Sequence, residues 1–84
     1  LNQNYPNPFN PTTQISFTLP QAQQVTLKVY DMLGREVATL ANREMFSSGM
    51  STLNFNASNL SSGLYIYRLT AGNVAVTRKM TLIK

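Results

Sequence analysis

From Gln14 to Leu19 apolar and polar residues alternate without a break, Ile15, Phe17 and Leu19 on one side and Gln14, Ser16 and Thr18 on the other. A period of two marks a half-buried strand, and Pro20 ends it. Gln24 to Tyr30 repeats the pattern, with Val25, Leu27 and Val29 inward and Thr26, Lys28 and Tyr30 outward. Asp31-Met32-Leu33-Gly34-Arg35 then reads as a tight connection, the aspartate accepting local amide bonds and Gly34 supplying a positive φ. Glu36 to Leu40 resumes as a strand, but the step from Val37 to Leu40 breaks alternation and predicts a bulge or an early strand end. Ala41 to Gly49 reads as a loop crossing between sheets, with Phe46 covering the core. Met50 to Asn56 is a further strand with Leu53 and Phe55 inward, and Ala57 to Leu60 fits one helical turn. Leu64 to Thr70 is a strand, and Ala71-Gly72-Asn73 turns it into the last one, Val74 to Ile83. No segment keeps a 3.6-residue period for three turns, so a helical fold fails.

The opening residues behave differently. Leu1 to Thr13 hold three prolines and four asparagines and show almost no alternation. Each proline lacks an amide donor and biases its predecessor towards extended backbone, so this stretch is an extended or turning lead-in. Phe9 between prolines is a natural plug for one end of a sandwich. The expected division is a lead-in over 1–13, packing on or linking to a domain over 14–84.

Tyr65 lies two residues after Gly63, at the start of the penultimate strand. An immunoglobulin-like sandwich places there a tyrosine that bonds its hydroxyl back to nearby backbone. Tyr67 and Leu69 follow it inward, with Leu64, Ile66 and Arg68 outward. The fold class expected is therefore all-β, an immunoglobulin-like antiparallel β-sandwich of about seven strands.

Composition removes most chemistry. The 84 residues make one domain, and a chain this short buries only about 60–65% of the surface it exposes when unfolded. There is no His and no Cys, which excludes imidazole bases, thiol nucleophiles, disulfides and the usual zinc ligand sets. Asp31, Glu36 and Glu44 are the only acidic residues, too few for a carboxylate pair or a calcium cage. No catalytic residue, metal or cofactor is expected. The net charge of +4 is spread along the chain, without the dense basic stripe of a nucleic-acid binder. No run of eighteen apolar residues spans a membrane, and no export signal opens the chain, so an exported form needs a signal peptide upstream. The halt after Lys84 reads as a true C-terminus.

Four separated motifs now fall in order. Asn4-Tyr5-Pro6-Asn7-Pro8-Phe9-Asn10-Pro11 is followed by Val29-Tyr30-Asp31 with Gly34, Arg35 and Val37, then by Ser62-Gly63-Leu64-Tyr65, and finally by Arg78-Lys79-Met80 through Lys84. Together they resemble the type A C-terminal sorting domain of the type IX secretion system, over essentially the whole chain. The resemblance implies a module at the end of a larger cargo protein, exported first to the periplasm and then recognised by the outer-membrane translocon. It implies removal by a sortase-like cell-surface cysteine protease, with the cargo attached to the surface or released. The entry motif maps onto Pro6, Asn7, Pro8 and Phe9, the middle motif onto Gly34 and Arg35, and the terminal region onto Gly63, Tyr65, Gly72, Lys79 and Lys84. Lys79, Lys84 and Gly72 are candidates for translocon recognition, since a terminal edge strand can pair with another sheet and its lysines can select an acidic groove. The same lysines also serve to keep an edge from aggregating. Ala41 to Gly49 is longer and more apolar than the family suggests. Two other readings remain: a carbohydrate-binding module using Tyr5, Tyr30 and Phe46 as exposed platforms, and a passive spacer.

Overall fold

The computed structural model describes residues 1–84. Six strands run in chain order: β1 (Thr12–Leu19), β2 (Gln23–Tyr30), β3 (Glu36–Phe46), β4 (Gly49–Asn56), β5 (Gly63–Ala71) and β6 (Val74–Leu82). β1 pairs with β4 in one sheet, and the other runs β3-β2-β5-β6, every pairing antiparallel. The inward residues of the two sheets make one core. It holds Ile15, Phe17 and Leu19 from β1, Val25, Leu27 and Val29 from β2, Phe55 from β4, and Tyr65, Tyr67 and Leu69 from β5. Met80 and Leu82 of β6 and Phe9 of the lead-in close it. The alternation that predicted β1, β2 and β5 thus holds residue by residue.

The strand count is six rather than about seven. The lead-in does not add a seventh strand, because Pro6, Pro8 and Pro11 lack the amides a ladder requires. It therefore pairs only at single points, Tyr5 with Gln14 of β1 and Phe9 with Leu82 of β6.

The reading of Ala41 to Gly49 as a loop is also corrected. β3 continues to Phe46, and Ser47-Ser48 alone carry the chain across to the other sheet. The broken alternation reflects bulges: eleven residues of β3 run beside eight of β2, with register shifts between Val25 and Leu27, Leu27 and Lys28, and Val29 and Tyr30. Extra residues on one strand turn side chains off the two-residue period. Phe46 does cover the core, edge-on to Phe17 with ring centroids 5.2 Å apart. Ala57 to Leu60 forms a single turn, closed by the Leu60 amide on the Ala57 carbonyl at 2.9 Å.

Candidate functional site

The lead-in positions more of the motif residues than any other segment. It runs along the outer edge of β6 and is bonded to it at four places. The Arg78 guanidinium donates to the Leu1 carbonyl (2.8 Å), and the Gln3 amide to the Lys79 carbonyl (2.7 Å). The Thr81 N–H donates to Asn7 Oδ1 (3.0 Å), and Phe9 exchanges backbone bonds with Thr81 and Ile83. On its other side, Asn2 and Tyr5 bond the backbone of Ser16 and Gln14 in β1. The segment bridges the two sheets where they would otherwise gape. Phe9 is buried between them, its ring 6.2 Å from that of Phe55.

One buried polar cluster holds this bridge in place, and the sequence reading missed it. Asn4 and Thr13 are the only buried polar residues. Asn4 Nδ2 donates to Thr13 Oγ1 (3.0 Å) and to the Pro6 carbonyl (3.1 Å), and Thr13 Oγ1 donates to the same carbonyl (2.9 Å). The Tyr67 hydroxyl accepts from the Asn4 N–H (2.8 Å) and donates to the Asn2 carbonyl (2.9 Å). Burial raises the Tyr67 pKa above the ordinary phenol value, because the phenolate would lose water it cannot replace. No buried side-chain polar atom lacks a partner. The only local signal for this network was two short polar residues, each two positions from a proline.

Tyr65 forms the anticipated tyrosine corner, its hydroxyl donating to the Ser61 carbonyl at 2.6 Å. Gly63, at φ +150°, begins β5 beside it. Lys84 ends the chain on the same corner, Nζ donating to the Ser58 carbonyl (2.6 Å) and its N–H to Ser62 Oγ (3.0 Å). Gly34 and Arg35 lie in the β2–β3 turn. There Asp31 accepts from the Leu33 and Arg35 amides and pairs with the Arg35 guanidinium at 2.7 Å. The Arg35 amide, with its side chain, holds the Asp31 carboxyl below its ordinary range.

The three recognition candidates do not form one patch. Gly72 is the first residue of the β5–β6 turn at φ +59°, a full strand length of about 27 Å from the Lys84 end. Lys79 lies between, exposed on the outer face of the four-stranded sheet opposite Ile66. The free terminal edge is also shorter than the sequence suggests. The lead-in covers β6 from Lys79 onward, which leaves Ala75 and Thr77 as the edge residues without such cover.

Three shallow hollows lie on the outer face of the four-stranded sheet, around Thr26, Arg43 and Arg68. A fourth, of about 630 Å³, lies beside the exposed Tyr5 and is lined by Gln14, Asn54 and Asn56. Tyr30 is only half exposed and Phe46 packs on Phe17, so Tyr5 is the one freely standing aromatic of the three proposed as platforms.

A family model for the secretion system C-terminal sorting domain matches residues 3–84. No curated protein and no solved structure gives a match.

Proposed function

Because the chain belongs to the secretion system C-terminal sorting domain family, the sorting signal of type IX secretion, we propose that it carries a larger cargo protein through the type IX outer-membrane translocon. The cargo is joined upstream of Leu1, passes through the periplasm, and ends on the cell surface or in the medium. A sortase-like cysteine protease at the surface then removes the domain. The observation that carries this reading is the family match across the chain, with each motif in a place that holds the fold: Phe9 and Asn7 on β6, Asp31 and Gly34 in a turn, Tyr65 on Ser61.

The geometry supports a particular position for the cut. Proteases need several residues of free chain, and Leu1 to Thr13 are tied to both sheets. Scission is therefore expected upstream of Leu1. N-terminal sequencing of the domain shed from translocon-competent cells checks this. A product starting at or before Leu1, absent in translocon-deficient cells, agrees with the proposal; a cut inside the lead-in, or equal processing in both strains, overturns it.

Lys79, Lys84 and Gly72 are proposed to meet the translocon. Lys79 has the freer ammonium, whereas that of Lys84 also ties the tail to Ser58. Lys79→Ala with Lys84→Ala in a reporter fusion is expected to lower export while stability falls by about 1 kcal/mol or less. Unchanged export at unchanged stability would remove the charge contact. Glycan binding is a second reading, favoured by the Tyr5 ring beside Gln14, Asn54 and Asn56.

A further inference from the structure

The two outer faces of the sandwich differ in kind. That of β1 and β4 shows only uncharged groups along most of its length: Thr12 opposite Asn56, Gln14 opposite Asn54, Ser16 bonded to Thr52. That of the four-stranded sheet collects three features that are unfavourable for the isolated domain. Lys28 and Arg68 stand directly across from one another, a like-charge pair that destabilises a sheet. Lys28 is balanced by Glu36 at 3.0 Å; Arg68 has no carboxylate partner.

Arg43 is the second feature. It is the only non-glycine residue with positive φ, at +53°, and it sits in a bulge where Asn42 and Arg43 together face Thr26. Such a bulge position suits glycine, and an L side chain there is strained. The Arg43 N–H reaches Thr26 Oγ1 at 3.2 Å, and the residue lines a hollow of about 360 Å³ with Lys28, Tyr30 and Arg68. Its guanidinium has no acidic partner either.

The third feature is apolar. Beside Arg68 a second hollow continues through Tyr30, Met32 and Ile66, and Met32 and Leu33 stand 55% and 80% exposed at its end. Arg, Tyr and Met are the residue types enriched in protein–protein interfaces, and aliphatic side chains have little use in holding a sugar or a phosphate.

We propose that the outer face of the four-stranded sheet, centred on Arg43 and Arg68 and flanked by Tyr30 and Ile66, docks an acidic protein surface that presents apolar side chains beside its carboxylates. The inference rests on the sorting reading and adds to it the face and the chemistry of the partner. Lys79, in line with Tyr30 and Ile66 across the strands, belongs to the same face. The Arg43 side chain then serves the partner at the expense of its own backbone.

Two measurements test this. In the first, amide shifts of the labelled domain are followed during titration with a synthetic peptide of glutamates interspersed with leucines. Salt-sensitive shifts confined to Thr26, Tyr30, Arg43, Ile66, Arg68 and Lys79 are expected, with binding roughly tenfold weaker in Arg68→Glu. Absent shifts, shifts spread over every exposed cation, or equal binding of heparin would overturn the proposal. In the second, reporter fusions carry Arg43→Gly or Arg68→Glu. The control, Gln14→Glu with Thr18→Glu, changes charge by the same two units as Arg68→Glu on the other face. Arg43→Gly is expected to melt at or above the parent temperature and still lose about tenfold in translocon-dependent surface signal, as does Arg68→Glu, while the control exports normally. Normal export of both arginine variants contradicts the proposal. If the parent fusion ignores the translocon, the sorting reading fails, and the titration alone decides the face.

Discussion

Tyr65 and Tyr67 share the inward face of β5, and each spends its hydroxyl on a different stretch of chain. Tyr65 pins the segment before its own strand, whereas Tyr67 reaches back to Asn2 and Asn4 and fastens the lead-in. Tyr65→Phe is expected to destabilise the domain by about 1–2 kcal/mol, because the Ser61 carbonyl loses its donor. Tyr67→Phe removes two bonds and strands the buried Asn4 N–H, so about 2–3 kcal/mol is expected by urea unfolding. The raised pKa of Tyr67 adds a pH dependence. Its contribution is complete below the unfolded phenol value of about 10 and is lost as pH rises through the higher folded value. Tyr67→Phe should therefore flatten the alkaline limb of the stability curve relative to the parent. At the acid end the signs reverse. The pKa of Asp31 is lowered chiefly by the Arg35 amide and that of Glu36 by Thr39 and Lys28. Their contributions are present above about pH 4 and fade as pH falls through the lower folded values. Glu36 is exposed and Asp31 is only partly covered at a surface turn, so that limb is shallow.

The element that decides the architecture is the one with the least regular structure. Without the lead-in, β6 would show an open edge and the sheets would part over Phe55 and Leu82. Phe9→Ala is expected to cost about 3–5 kcal/mol, since a ring is deleted between two sheets with little freedom to close up. Faster amide exchange at Thr81 and Ile83, whose N–H groups the lead-in holds, would accompany it; unchanged protection would show that the lead-in does not hold this edge. Five of the six strands were legible from alternation to within two residues at either end, because each buries one face and a period of two records it. β3 was not legible beyond Leu40. Its bulges shift the period, so a strand as long as eleven residues looked like a short strand and a loop. The lead-in was legible as extended, proline-limited chain with Phe9 as a plug. Its partners were not, since nothing local specifies which edge an extended segment will cover.

At the scale of the molecule, one side of the sandwich is sealed by its own entry segment, one outer face is uncharged for most of its length, and the other concentrates unpaired cations with apolar side chains. That asymmetry is what a sorting module needs: a fold that holds itself together and one face left for a partner. The motifs of the candidate site were readable in the sequence because Gly34, Gly63 and Tyr65 have local geometric requirements. The Arg43 position was not readable, because its positive φ arises from the pairing of β3 with β2 and leaves no trace in neighbouring residues. The sorting role itself is tested most directly by fusing Leu1–Lys84 behind a periplasmically exported fluorescent protein, in cells with and without a working type IX translocon. Fluorescence at the surface or in the medium that disappears with the translocon is the predicted result. A folded fusion retained in the periplasm of both strains would contradict it.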